Sequence, residues 1–190
     1  ISPRPRRGRR IRVAVITSYL YRHTISKLFV GWLRHLDRDR FEVEVLSCSH
    51  FHDEFTAGVT AHTPVHRLPK DLLGAARSVL EHQPDIALFP ELGMDPFVLQ
   101  LAALRLAPQQ MVSWGHPVTT GLPTVDVFLA SAAMAVEPDR TWTTEERVDL
   151  PGLSICYDRP ALPSGVFDLP LPDAPLALCV QNLRKYRPFT

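Results

Sequence analysis

Length, composition and charge limit what this chain can be. Its 190 residues carry a net charge of +1 and are 45% hydrophobic and 22% charged, which is the balance of an ordinary globular protein. No apolar run is long enough to span a membrane, so a membrane partner is not expected. The three cysteines are far apart and show no zinc-binding spacing, so we expect a reduced, cytoplasmic location and no metal.

The first ten residues are a basic segment. Five of them are arginines, and prolines interrupt the run, so we predict a solvated linker over residues 1–10. An arm that binds nucleic acid is the alternative. Because no aromatic residue lies between these arginines, a nucleic-acid partner is not expected. The chain begins with Ile1 rather than methionine, and we therefore expect it to be a segment of a longer protein.

Strand and helix patterns alternate from residue 11 to residue 151. The segment IRVAVIT is an apolar, β-branched run of the kind that parallel sheets bury on both faces. The later segments with strand patterns are FEVEVLS, VHRL, DIALFP, QQMVSW, VDVFLAS and EERVDLP. The segments with helical patterns are SKLFVGWLRHLD, DEFTAGV, DLLGAARSVLEHQ and DPFVLQLAALRLA. This order predicts an α/β domain, a Rossmann-like doubly wound parallel sheet, over residues 11–151.

The composition changes after the last of these strands. Residues 152–175 are rich in proline and show no periodicity, which is typical of an interdomain linker. The segment LALCVQNLRKYRP then begins with a strand-like run and continues into a polar, basic turn. We therefore predict that a second domain starts within residues 176–190.

Candidate functional residues follow the predicted strands, because open parallel sheets bind ligands at the carboxyl ends of their strands. His23 follows the first strand and opens a helix, whose free N–H groups suit an anion such as a phosphate. It is a candidate base or phosphate donor, and the alternative is a surface histidine that only caps the helix. Glu91 follows the fourth strand as a candidate catalytic carboxylate, and a solvated side chain is its alternative.

The loop after the fifth strand, within VSWGHPVTTGLPTVDVF, is long and stiff. Its glycines and prolines predict a pre-organised ligand site, and a structural crossover around a buried Trp114 is the alternative. The residues that we expect to line the site are Gly115, His116, Pro117, Thr119 and Thr120. Near the end of the chain, Asn182 and Lys185 suit recognition of a pyrophosphate, and the solvated start of a helix is the alternative.

The remaining histidines give weaker signals. His50 and His52 lie beside Asp53, but no ligand set of adequate spacing accompanies them, so a polar loop is favoured over a metal site. We expect the others to face solvent: His35, His62, His66 and His82.

Several of these stretches together resemble one family. RVAVITSYLYRHTISKLF is similar to the first βα unit of the O-linked N-acetylglucosamine transferases of the SPINDLY type. FPELGMDPFVLQLAALRLAPQQMVSWGHPVTTGLPTVDVFLAS resembles the bacterial members more closely, and RVDLPGLSICY and CVQNLRKYRP resemble the end of the first catalytic domain and the start of the second. The resemblance covers residues 10 to 190. Its middle part is specific because Gly, Pro, Trp and His coincide at fixed offsets.

The resemblance implies the first half of a GT-B glycosyltransferase, in which two Rossmann-like domains enclose the active cleft. Such enzymes transfer a sugar, GlcNAc or a hexose, from a UDP-sugar to a protein side chain with inversion and without a metal or other cofactor. His23 would be the active-site histidine, and Lys185 and Asn182 would contact the UDP. Gly115, His116, Pro117, Thr119 and Thr120 would line the cleft.

The sequence also departs from the family pattern. His-Pro-Thr-Ser around the active histidine is His-Thr-Ile-Ser here, and a further family histidine near Val65 has no clear counterpart. Most of the UDP-binding domain would lie beyond Thr190, so we expect this segment to be inactive alone. The alternatives are a UDP-sugar epimerase or phosphorylase-like enzyme of the same architecture, and a non-catalytic relative that binds protein partners.

Overall fold

The computed structural model describes residues 9–134 and 143–156. Its strands are β1 (Ile11–Thr17), β2 (Phe41–Ser47), β3 (Val65–Arg67), β4 (Ile86–Phe89), β5 (Gln109–Ser113), β6 (Val127–Ser131) and β7 (Glu146–Leu150). Its helices are α1 (Thr24–His35), α2 (Glu54–Thr60), α3 (Leu72–Glu81) and α4 (Pro96–Ala102), with a short 3₁₀ turn at Ala132–Met134. In the two described ranges, no helix is both long and apolar enough to cross a lipid bilayer.

The described strands form one seven-stranded sheet in the order β3-β2-β1-β4-β5-β6-β7, and every neighbouring pair is parallel. The chain moves outward from β1 through β2 to β3 and then returns to place β4 on the other side of β1. The predicted fold class, a doubly wound Rossmann-like sheet, is therefore confirmed. Such a reversal opens a crevice at the carboxyl ends of β1 and β4, where ligands of this fold class bind.

Alternate residues of β1 face the two helical layers. Ala14 and Ile16 are fully buried in the core that α3 and α4 cover, whereas Val13 and Val15 lie in the core that α1 and α2 cover. A strand buried on both faces needs apolar residues at consecutive positions, because neither face meets water. This requirement explains the nearly continuous apolar run from which β1 was predicted.

Helix α4 begins where the sequence predicts. Asp95 is its N-cap, and Oδ1 of that carboxylate accepts the backbone N–H groups of Phe97 at 2.8 Å and Val98 at 3.0 Å. Pro96 occupies the first turn, where its missing N–H costs no helical hydrogen bond. The cap fixes the direction in which the chain leaves the loop after β4.

The predicted end of α4 is wrong, because the helix stops at Ala102 rather than continuing through residue 107. The Ala102 carbonyl accepts hydrogen bonds from Gln110 Nε2 at 2.9 Å and from Thr124 Oγ1 at 2.6 Å. Gln110 Oε1 also accepts the N–H of Leu106 at 3.1 Å. These side chains satisfy backbone groups that further helical turns would otherwise pair, so the chain turns early towards β5.

Candidate functional site

A buried carboxyl group lies at the sheet reversal. Glu91, in the loop after β4, is 1% exposed, and its Oε1 accepts hydrogen bonds from Thr17 Oγ1 at 2.7 Å and the Ser18 N–H at 3.2 Å. Its Oε2 has no hydrogen-bond partner among the described residues. Burial raises the pKa of Glu91 to about 7, against the opposing effect of the hydrogen bond from Thr17. The carboxyl group can therefore exchange a proton near neutral pH.

A cavity of about 400 Å³ opens at the same edge of the sheet. The loops that follow β1, β2 and β3 and the start of α4 all contribute to its wall. Tyr19 and Tyr21 come from the first loop, Phe51 from the second and Lys70 from the third. An aromatic wall with a few polar and charged groups is typical of small-molecule sites. Lys70 supplies positive charge to this wall. It follows β3, so the criterion that identified His23 and Glu91, a position directly after a strand, also identifies Lys70.

His23 is the N-cap of α1 and stands beside the two tyrosines. Its Nδ1 accepts the N–H of Ile25 at 3.3 Å, and its ring centre lies 4.6 Å from that of Tyr19 and 5.6 Å from that of Tyr21. Partial burial lowers the pKa of His23, so the ring is neutral at neutral pH. Because Nδ1 accepts, the neutral ring carries its proton on Nε2 and can donate a hydrogen bond from that atom. His23 thus caps the helix through Nδ1, and its Nε2 can take part in proton exchange.

The loop that carries His23 is attached to its neighbours at two points. Glu91 binds the Ser18 N–H, as described above, and Asp53 Oδ2 accepts the Arg22 N–H at 2.7 Å. Asp53 is also the N-cap of α2, where its Oδ1 accepts the Thr56 N–H at 3.0 Å. Hydrogen bonds from Thr56 and Arg22 lower the pKa of Asp53, so it is ionised at neutral pH. The predicted polar loop at residues 50–53 therefore joins α2 to the β1 loop.

The loops after β4 and β5 interlock through two glycines. The Gly115 N–H donates to the Pro90 carbonyl at 3.1 Å, and a Cβ on Gly115 would lie 2.4 Å from that oxygen. Gly93 has a φ of +104°, and a Cβ there would lie 2.6 Å from Cδ2 of His116. His116 therefore packs over the loop that carries Glu91, at the edge of the sheet where the sequence predicts it.

Thr119 and Thr120 bind another part of the same chain. Glu145 Oε2 accepts Thr119 Oγ1 at 2.8 Å, and its Oε1 accepts the Thr120 N–H at 2.8 Å and also the Thr120 hydroxyl. Burial of Glu145 acts to raise its pKa, but the hydrogen bonds from Thr120 and Thr119 outweigh it and lower the pKa. The two hydroxyls thus hold an ionised carboxylate, which the sequence did not indicate. Their predicted role in substrate binding stays a prediction, as does that of the exposed Pro117.

Trp114 is held by the segment that follows β7. Its Nε1–H donates to Ser154 Oγ at 2.8 Å, while the Trp32 Nε1–H donates to the Ser154 carbonyl at 2.7 Å. Gly31 lets this segment approach α1, since a Cβ on Gly31 would lie 2.8 Å from Cβ of Cys156. Trp114 is partly buried in this cluster, whereas the crossover interpretation of the loop expects it to be buried.

Other predicted features lie wholly or partly outside the described residues. Asn182 and Lys185 are among them, together with nearly all of the predicted linker at residues 152–175 and the predicted second domain at 176–190. The chain divides into the units Ile1–Asp158 and Arg159–Thr190, of which the first contains all described residues. At the predicted basic linker, Arg9 forms an ion pair with Asp85 at 2.7 Å.

The fold is shared with a known glycosyltransferase. One solved structure of similar fold is a mutant of the O-GlcNAc transferase from Thermobaculum terrenum, with a TM-score of 0.66 and 21% sequence identity. The match covers 75% of this chain and 28% of the other chain. No family model matches the chain, and no curated protein matches it. At this identity the likeness is one of fold, and it agrees with the GT-B half predicted from the sequence.

Proposed function

We propose that this chain is the acceptor-side part of a glycosyltransferase that moves a sugar, GlcNAc or a hexose, from a UDP-sugar to a protein side chain. The proposal includes inversion at the anomeric carbon and catalysis without a metal. One observation carries it: His23, Tyr19 and Tyr21 cluster beside a cavity at the sheet reversal, where the loops after β1, β2 and β3 meet the start of α4. The fold likeness to an O-GlcNAc transferase adds support.

The chemistry of the cavity wall suits an acceptor segment and a sugar. Tyr21 and Phe51 pack against each other with ring centres 5.2 Å apart, and Phe51 is 69% exposed. Exposed aromatic rings provide apolar area for a sugar face or a peptide side chain, and Lys70 attracts a negatively charged group. The tyrosine hydroxyl of Tyr19 is held by the Met94 carbonyl at 3.3 Å, which fixes one wall.

In the proposed reaction the acceptor oxygen, or an amide nitrogen, attacks the anomeric carbon from the face opposite UDP. The bond between that carbon and the diphosphate oxygen breaks, and UDP leaves with the bonding electrons. The acceptor proton passes to a base or a proton relay in which His23 takes part. Lys185 and Asn182 stabilise the leaving diphosphate, because negative charge develops there. Gly115 and His116 shape the cleft from the loop after β5.

Free thiols support the proposed cytoplasmic location. Cys48 and Cys156, the cysteines within the described ranges, form no disulfide. Burial raises the pKa of the Cys48 thiol to about 12, so it stays protonated and unreactive at neutral pH. Unpaired cysteines are typical of proteins in reducing compartments.

The test is sugar transfer by the full-length protein with a labelled UDP-sugar and a protein acceptor. His23→Asn keeps a side-chain oxygen for the helix cap but removes the ring, so the fold is retained while the proton relay is lost. We expect a loss in rate of about 10²–10⁴-fold. His35→Asn, on an exposed face of the same helix, is the matched control and should transfer normally.

A second variant tests the donor side. Lys185→Ala should weaken UDP binding and transfer together, because the diphosphate loses a positive charge. Normal transfer by both His23→Asn and Lys185→Ala would show that the site is misassigned. Turnover of the UDP-sugar without any protein product would instead identify the epimerase or phosphorylase alternative, and failure of the wild-type protein to bind UDP would identify the non-catalytic one.

A further inference from the structure

Three metal-ligating side chains meet on the outer part of the sheet. His82 Nδ1 lies 2.8 Å from Glu44 Oε2, and His66 Nε2 lies 3.6 Å from the same oxygen. The ring centres of the two histidines are 4.6 Å apart, and one potential ligand atom from each of the three residues lies within 4.8 Å of the others. The three residues are far apart in the sequence, which predicts that both histidines face solvent. The prediction is wrong for His82, whose side chain is only 23% exposed.

We propose that Glu44, His66 and His82 bind one divalent transition-metal ion of the zinc class. In tetrahedral coordination, ligand atoms about 2.0–2.1 Å from the metal lie roughly 3.3 Å from one another. The observed separations of 2.8 and 3.6 Å fall on either side of this value. The two histidine nitrogens lie within 4.8 Å of each other, so side-chain rotations that bring the rings together would complete the site.

The backbone holds the three residues in place. β2 and β3 are paired with Leu46 opposite His66, so Glu44 projects from the same face as His66, one strand over. His82 is the C-cap of α3, and its position is set by the helix end. Carbonyl groups at a helix C-terminus favour a nearby positive charge. A site built from two strands and a helix end is more rigid than one built from loops.

The ligand set selects the class of metal. Two imidazoles and one carboxylate form a set known from zinc sites, and imidazole favours zinc and its transition-metal neighbours over calcium or magnesium. The side chain of His66 is 48% exposed, which leaves an open path for an ion and for water as a fourth ligand. Arg12 and Glu42 line the cavity next to these ligands. Because they form an ion pair with each other at 3.8 Å, their opposite charges offset each other beside the proposed ion.

The proposed ion would act on structure rather than on the proposed transfer reaction. None of its three ligands is among the residues that line the cavity at the carboxyl ends of the strands. β3 has three residues and lies at the edge of the sheet, so it has few hydrogen bonds of its own. A metal that joins β3 to β2 and to the end of α3 would fix this edge.

The test is binding of Zn²⁺ and Co²⁺ to the full chain after removal of any affinity tag and treatment with chelator. We expect one equivalent to bind, and Co²⁺ to give the visible absorption of a tetrahedral site. At a hundredfold excess over Kd the melting temperature should rise by about 5–10 °C. His62→Ala removes an exposed histidine four residues before His66 and is the matched control, which should behave like the wild type.

Two substitutions separate metal binding from damage to the fold. His66→Ala, at a half-exposed side chain, should keep the melting temperature of the metal-free protein but lose the rise with Zn²⁺. His66→Cys should keep Co²⁺ binding and add a thiolate-to-cobalt absorption band that the wild type lacks. Absence of Zn²⁺ and Co²⁺ binding by the wild type would overturn the proposal. So would unchanged binding by His66→Ala, or His66→Cys lacking the new band.

Discussion

Replacing Glu91 by glutamine should stabilise the protein in a strictly pH-dependent manner. The carboxyl group is 1% exposed, and its pKa is raised from 4.5 to about 7 by burial. In the unfolded chain it loses its proton near its ordinary pKa, whereas in the folded chain it keeps the proton to higher pH. Between pH 4.5 and 7 the unfolded state therefore binds fewer protons, and folding stability falls as pH rises.

The size of the effect follows from the shift in pKa. A difference of about 2.5 units corresponds to a cost of about 3 kcal/mol once the group is ionised in both states. Glu91→Gln removes the ionisation, and its side-chain oxygen can still accept from Thr17 and Ser18. The variant should match the wild type at pH 4 and exceed it by about 3 kcal/mol at pH 8.

Urea unfolding followed by circular dichroism from pH 4 to pH 9 measures this difference directly. Glu81→Gln, at an exposed position of α3, is the control and should show no comparable trend. A difference between Glu91→Gln and the wild type that does not change with pH would refute the reasoning. The predicted gain also means that an ionisable group is kept here at the expense of stability, which is typical of functional sites.

Two further substitutions test the packing around the site. Gly115→Ala should lower the free energy of unfolding by about 1–3 kcal/mol, because the new Cβ would meet the Pro90 carbonyl at 2.4 Å. Its control, Gly58→Ala, lies in open space on α2 and should raise the free energy of unfolding by about 0.5–1 kcal/mol. Equal melting temperatures for the two variants would contradict the close approach. Gln110→Ala should lower the free energy of unfolding by about 2–4 kcal/mol, since it removes the partner of the Leu106 N–H and of the Thr124 carbonyl and one of the two hydrogen bonds to the Ala102 carbonyl. Exposed Gln100→Ala is its control in urea unfolding. A loss below 1 kcal/mol for Gln110→Ala would show that those groups find other partners.

Local sequence was sufficient for most of the fold. The apolar runs of β1 and β4 and the cap formed by Asp95 and Pro96 depend on neighbours in the chain, and the structure confirms them. The end of α4 depends instead on Gln110 and Thr124, which reach Ala102 only after the chain has turned back. No helical periodicity contains that information, so the helix was predicted too long.

The same distinction applies to the candidate site. The position of His23 and Glu91 after parallel strands was enough to place both at one edge of the sheet. The burial of Glu91 was not predictable, because it results from the packing of the loops after β1 and β4. Glu145 and the triad of Glu44, His66 and His82 were missed for a related reason. Their partners are distant in sequence, and a lone histidine or glutamate gives no sign of them.

Gly115 contacts Pro90 and Gly93 contacts His116, so the loops after β4 and β5 are packed together as one rigid unit. A ligand that displaces either loop must displace both, against the sheet that anchors them. In the proposed transferase, adjustment to a substrate would then fall to the cavity wall, where Phe51 and Lys70 are carried by separate loops. The paired loops beside β4 and β5 would then present the same surface to every proposed acceptor.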